Sequence, residues 1–295
     1  MKKYPLEKLD AFTAGFSTGN PAALVALDRP DDITPEQMQR IAFELRGCVS
    51  EVGYVWPSPE PEADFELRYY SSEQEVPFCG HATVAILHRL ISTTPALSSK
   101  NELHIRTRSS LLKVRNRVRE ENLVYIHAPE PVFTDTGIRH PEIATALDLP
   151  LADLVLHRQP ALINVGQNIL LVQLASKESC LRCRPDYQRI RQFCFDNRLE
   201  VVTIFALAET FPDSPAYSRV FPPVYGYLED PATGSGNAAL GYQLLRDGRW
   251  NGKPTVIEQG PDGNAPNLIH LRAEENRILI GGSAVCRFSG IYSLP

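Results

Sequence analysis

Two stretches carry residue types that could hold an anion and work on it. The first is Glu229-Asp230-Pro231-Ala232-Thr233-Gly234-Ser235-Gly236-Asn237, which runs straight into apolar Ala238 to Leu245. Gly234 and Gly236 permit a sharp turn with backbone N–H groups close to a ligand, and the helix that follows would add its positive end. The second is Glu75-Val76-Pro77-Phe78-Cys79-Gly80-His81-Ala82-Thr83-Val84-Ala85, which leads into a largely apolar run, Ile86 to Ile91. Glu, Pro, Gly and Ala recur at matching places, with Pro77 against Pro231, 154 residues apart. The chain therefore reads as two related halves, each with a tight turn and a central helix.

The elements around these turns follow from pattern. Leu6 to Phe12 and Ala22 to Leu27 read as strands separated by the polar turn Gly15 to Asn20. Thr34-Pro35-Glu36-Gln37 combines an N-cap, a proline at the first helical position and Gln three residues on, a capping-box pattern. Met38, Ile41, Ala42 and Leu45 follow at helical spacing, and Gly47 is a natural stop. Ser50-Glu51 then opens an apolar strand to Trp56, which places the acid at a loop-to-strand junction. Phe65, Leu67 and Tyr69 alternate with Glu66, Arg68 and Tyr70, a strand leading into the first turn.

Leu103 to Arg106, Leu111 to Val114 and Leu123 to Ala128 read as antiparallel strands, and Pro129, Pro131 and Gly137 mark a connection. The expected division is an N-terminal half, 1–130, and a C-terminal half, 131–295, whose last strand could cross back to the first. In the second half a short helix is expected at Pro141 to Leu147 and another at Asp186 to Phe195. Strands are expected at Leu154 to His157, Leu162 to Val165, Ile169 to Leu174 and Val201 to Leu207, then at 255–257, 268–271, 278–280 and 285–292. A helix apolar on most sides must be enclosed, and a curled sheet around it is the economical solution. The fold class expected is α+β, with two pseudo-symmetric halves, each a curved, mostly antiparallel sheet or barrel around its central helix.

Composition sets bounds on partners. The chain has 295 residues, 43% hydrophobic and 22% charged, with room for two domains. A net charge of −5 and no basic cluster with interleaved aromatics argue against nucleic acid. Two lysines follow Met1 with no apolar run behind them, and no stretch of about 18 apolar residues occurs, so a cytoplasmic protein with no membrane partner is expected. Six scattered cysteines do not form a disulfide scaffold. Cys180-Leu181-Arg182-Cys183 is the only close pair and lacks a second pair at zinc spacing, so no metal is expected. Gly234-Ser235-Gly236 matches only the start of a dinucleotide-binding turn and lies far from an opening strand–helix–strand unit.

The set Asp10-Ala11-Phe12-Thr13, Gly19-Asn20-Pro21, Ser50-Glu51, Glu75 to Thr83, Ser218-Arg219-Val220-Phe221 and Glu229 to Ser235 resembles, in order and spacing, the PhzF family. That family is named for a phenazine biosynthesis isomerase, and the resemblance is closer to its YddE-like members and covers nearly the whole chain. It implies the diaminopimelate-epimerase-like fold, with the active site between two similar halves. It also implies that Glu51 is the acid/base that takes a proton from one carbon and returns it to another without metal or organic cofactor. By the same resemblance His81, Asp230 and Ser235 hold and polarise a small carboxylate-bearing substrate, and Gly80, Cys79, Thr233, Gly234 and Gly236 line its binding turns. A carboxylate in a partly apolar cleft is suited to serve alternately as base and acid. Homodimers are the family's expectation.

The sequence departs from the family at Cys79, where the phenazine enzyme has a small unreactive residue, and at Ser71-Ser72, where Thr-Pro is frequent. A thiol beside a Gly turn at a helix start is a setting that favours thiolate. Racemases of this fold use two facing cysteines, but Thr233 stands in the matched position here. A Cys79-dependent epimerase or dehydratase therefore stays as one alternative, and a non-catalytic ligand-binding protein as another. Each residue also has an ordinary reading: Glu51 as a solvated acid, His81 as a packing histidine, Asp230 as a turn initiator, Ser235 as an N-cap and Cys79 as a small buried hydrophobe.

Overall fold

The structure, a computed structural model, describes residues 2–207 and 214–294. Met1, at the head of the segment read above for a leader, lies outside them. Two compact units emerge. One comprises Met1–Thr13, Thr18–His127 and Gly281–Pro295, the other Ala14–Ser17 and Ala128–Ile280. The division thus falls at His127/Ala128 rather than 130. Residues 281–295 group with the first unit, the crossing back that the sequence reading allows for the last strand.

The first unit contains β1 (Lys2–Ala11), β2 (Asn20–Ala26), α1 (Pro35–Glu44), β3 (Glu51–Pro57), β4 (Phe65–Ser71), β5 (Glu75–Val76), α2 (Gly80–Thr93), α3 (Pro95–Ser98), β6 (Glu102–Arg106), β7 (Leu111–Arg117), α4 (Val118–Glu121) and β8 (Leu123–His127). The second holds β9 (Val132–Thr134), α5 (His140–Leu147), β10 (Ala161–Asn164), β11 (Asn168–Gln173), α6 (Lys177–Arg182), α7 (Tyr187–Asp196), β12 (Val201–Leu207), β13 (Ala216–Phe221), α8 (Gly234–Arg246), β14 (Thr255–Gln259) and β15 (Asn267–Glu274). β16 (Arg277–Gly282) leads from the second unit into the first, where β17 (Ala284–Leu294) lies along β1 from Lys2↔Leu294 to Ala11↔Ala284.

The duplication is written in the strand pairings. In the first unit β1–β2 is antiparallel, β2–β3 parallel, β3–β4 antiparallel, β4–β6 parallel and β6–β7 antiparallel. In the second, the pairings from β10–β11 to β14–β15 repeat that sequence of senses without exception. A parallel pair needs a crossover long enough to return the chain to the same end of the sheet. α1 lies in the first crossover of one unit and α6 with α7 in that of the other, while α2 and α8 lie in the second.

Strand periodicity decides what each helix covers. On β3, Val52, Tyr54 and Trp56 point one way, into a cluster with Met38, Ile41 and Ala42 of α1. Glu51, Gly53 and Val55 take the opposite parity. A Cβ at Gly53 would meet the Ile86 side chain of α2, so this is the face that packs on the central helix. α2 is buried continuously from His81 to His88, as an enclosed helix must be. In the second unit Val202, Ile204 and Ala206 of β12 join Ile190 and Cys194 of α7 in one core, whereas Val220 of β13 and Thr203 of β12 stand against Gly236 of α8.

The capping box forms as read: Thr34 Oγ1 accepts from the Gln37 N–H at 3.3 Å, and Gln37 Oε1 accepts from the Thr34 N–H at 3.1 Å. Thr34→Ala should cost about 1 kcal/mol, seen as a lower urea midpoint at unchanged slope; an unchanged midpoint would show that packing alone holds α1.

One expected strand is absent. Leu154 makes a single bridge to Leu174, and the chain turns away through 155–157 instead of pairing. Conversely, 132–134, read as part of a connection, pairs with β10. Among the described residues no helix is long and apolar enough to cross a membrane.

Candidate active site

In the first unit, sheet and helix bring three side chains together. Glu51 opens β3 on the face that meets α2. Cys79 is the N-cap of α2 and His81 is the second helical residue. His81 Nε2 donates to Glu51 Oε2 at 3.0 Å. Cys79 Sγ lies 3.7 Å from the same oxygen and 3.5 Å from His81 Nδ1. The helix start is pinned from below, because Tyr69 of β4 pairs its hydroxyl with Thr83 Oγ1 at 2.7 Å and Thr83 Oγ1 donates to the Cys79 carbonyl at 2.6 Å.

His81 and Cys79 are each only 8% exposed, which makes their charge states a matter of neighbours. Burial disfavours a charged ring, yet the Cys79 sulfur and the Glu51 carboxylate outweigh it, and the His81 pKa stands well above the ordinary histidine value. Burial pushes the Cys79 thiol up, against a smaller downward pull from His81. Burial thus works against the thiolate that a helix start favours. The trio is a hydrogen-bonded histidine–glutamate pair with the Cys79 sulfur beside it, an arrangement able to accept, hold and return a proton.

The second unit builds the matching helix start. Thr233, the N-cap of α8, has φ −122° and ψ 113°, close to the −138° and 110° of Cys79. Thr233 Oγ1 donates to Asp230 Oδ2 at 2.5 Å, and the Asp230 N–H donates to the Val220 carbonyl at 2.9 Å. Ser235 stands where His81 does in the other helix, but its hydroxyl donates to Gln167 Oε1 at 2.7 Å and not to Asp230. So Asp230 and Thr233 are brought together, and Ser235 faces a different partner.

The glycines act differently from the expectation. Gly80, Gly234 and Gly236 are helical residues outside the left-handed region, so none makes a sharp turn by itself. Gly236 is required for space instead, because a Cβ there would come within 3.0 Å of Val220 and 3.1 Å of Thr203. At Gly80 a Cβ would make only ordinary contacts.

Sequence reading missed the polar support beneath this second turn. Gln259, fully buried at the end of β14, accepts from the Thr233 N–H at 2.9 Å and from Asn237 Nδ2 at 2.6 Å, while its own amide donates to the Asp230 carbonyl at 2.7 Å. Asn237 in turn receives the Ser218 hydroxyl at 2.9 Å. A single Gln at a strand end gives no local signal. Asn237 did carry one, as an amide at the start of a largely apolar helix.

The comparisons agree with this architecture. Residues 9–290 match the family described as phenazine biosynthesis-like protein, PhzC-PhzF, and the chain belongs to that family and to its isomerase class. An uncharacterized isomerase of Pseudomonas aeruginosa is 32% identical over 283 residues, 96% of each chain. The trans-2,3-dihydro-3-hydroxyanthranilate isomerase of Pseudomonas fluorescens is 29% identical over 290 residues, 94% of this chain and 95% of its own. Among solved structures, a PhzF-family phenazine biosynthesis protein of Bacillus anthracis covers 100% of both chains with a TM-score of 0.87 at 24% identity, a likeness of fold.

Proposed function

We propose that this isomerase moves a proton within a small carboxylate-bearing metabolite, without metal or organic cofactor, and that Glu51 is the acid/base. The observation that carries the reading is the 3.0 Å bond between His81 Nε2 and Glu51 Oε2 at the buried start of α2. Glu51 as a carboxylate breaks a C–H bond of the substrate. The electron pair left behind moves into the adjacent π system, and the protonated acid returns the proton to a carbon further along. Nothing is oxidised or reduced, and product and substrate share one formula. The His81 ring, hydrogen-bonded to Glu51 Oε2, holds the carboxyl oriented through the transfer.

Asp230, Thr233, Gly234, Ser235 and Gly236 take the part of substrate holders in this proposal, on the strength of the family resemblance and of a rigidly supported helix start that suits a carboxylate. The name of the Pseudomonas fluorescens relative makes trans-2,3-dihydro-3-hydroxyanthranilate the first substrate to try. A cytoplasmic setting and a homodimer accompany the reading. The Cys79-dependent alternative is less favoured, because burial pushes its thiol up.

The test is turnover in deuterated water. A proton that visits Glu51 exchanges there, so deuterium should enter the product at the carbon that is reprotonated. A ligand that binds with neither conversion nor deuterium exchange would remove proton transfer as the function.

A further inference from the structure

We infer that Glu51, Cys79 and His81 also form a latent site for a thiophilic divalent cation such as Zn²⁺, and that filling it silences the enzyme. One donor oxygen, one sulfur and one ring nitrogen lie within 4.8 Å of one another. Zinc bonds of about 2.0–2.3 Å at tetrahedral angles place neighbouring ligand atoms about 3.3–3.6 Å apart. The edges here are 3.0 Å between Nε2 and Oε2, 3.7 Å between Sγ and Oε2, and 3.8 Å between Sγ and Nε2. Adjustments of a few tenths of an ångström close a three-ligand face, and the fourth position is left to water or an anion, as in zinc sites with an open position.

The donor set is mixed in the way zinc favours, and it sits on a strand start and a helix start whose backbones are already fixed. A ligating sulfur and ring nitrogen must be free of their protons, so any proton they carry leaves to solvent as the dication enters. Among the described residues Cys180, Cys183 and Cys194 belong to no such trio of donors.

Silencing rests on the reading of Glu51 as the proton carrier, because a metal-bound carboxylate oxygen and a ring nitrogen without its proton can no longer exchange one. Binding itself does not depend on that reading.

The test is calorimetric titration of the chelator-treated full chain with Zn²⁺, together with the absorption spectrum of the Co²⁺ form. One ion per chain should bind, with a sulfur-to-cobalt charge-transfer band. Cys79→Ala should abolish the band and weaken binding at least tenfold, Glu51→Gln should weaken it, and Cys183→Ala should leave both unchanged. Absence of saturable one-to-one binding, or binding that Cys79→Ala leaves untouched, would overturn the site. If Zn²⁺ binds stoichiometrically and turnover persists, the silencing claim is overturned and the site stands. A chain that binds Zn²⁺ through Cys79 but shows no deuterium exchange when metal-free would instead count against the proposed function.

Discussion

Glu51→Gln should lower kcat by about 10²–10⁴-fold and leave KM nearly unchanged. The amide keeps the size of the side chain and can still accept a hydrogen bond from His81 Nε2, so the geometry at 3.0 Å survives. What it loses is the capacity to take a proton from carbon. The loss should therefore fall on the chemical step, and deuterium wash-in should vanish with turnover. Cys79→Ser is the companion variant, since it keeps a small polar group at the N-cap of α2 and removes the sulfur. It should retain most activity. Full turnover in Glu51→Gln together with its loss in Cys79→Ser would transfer the chemistry to the thiol and overturn the assignment.

The largest effect on stability is expected at Arg219. Its guanidinium is buried in the second unit and forks onto Glu229, with Nε to Oε1 at 2.8 Å and Nη2 to Oε2 at 2.7 Å. Nη1 also donates to the Cys180 and Cys183 carbonyls, each at 2.7 Å, at the end of α6. Arg219→Leu would strand a mostly buried carboxylate and two carbonyls at once, at a cost of about 3–5 kcal/mol. Arg219→Lys would keep the charge but not the fork, and should fall between. In guanidinium melts the double change Arg219→Leu/Glu229→Leu should recover part of the loss, because no lone charge remains. If the single variant is no worse than the double, the pair does not hold this region. Glu229 precedes Asp230 and Arg219 precedes Val220, whose carbonyl takes the Asp230 N–H. The destabilised variant should therefore also disturb the Asp230–Thr233 turn.

Much of this was legible in the sequence because it is local. Thr34, Pro35 and Gln37 specify a cap within four residues, and the structure forms it. The repeat was visible because turn and helix recur at one fixed offset, and Cys79 and Thr233 indeed take the same place in their helices. Leu154 to His157 failed because a short apolar run reads as a strand whether or not a partner edge exists beside it. The placement of Glu51 against α2 could be named only through the family resemblance, since parity along β3 fixes a face but does not say which helix covers it. The upward push of burial on the Cys79 thiol could not be read, because a helix start is visible in sequence and depth of burial is not. Gln259 was invisible for a related reason: its partners at Thr233, Asn237 and Asp230 lie more than twenty residues away along the chain.

The pairing of β1 with β17 has a consequence for the order in which a ribosome delivers this protein. β1 emerges well before β17, the strand that covers one of its edges down to Lys2↔Leu294, with the whole second unit made in between. At about 5–20 residues per second the outer edge of β1 stays open for some tens of seconds while the second unit is made. During that interval the nascent first unit presents unpaired backbone to any other strand nearby. The lysines at positions 2, 3 and 8 of this early strand are the charges that discourage such pairing.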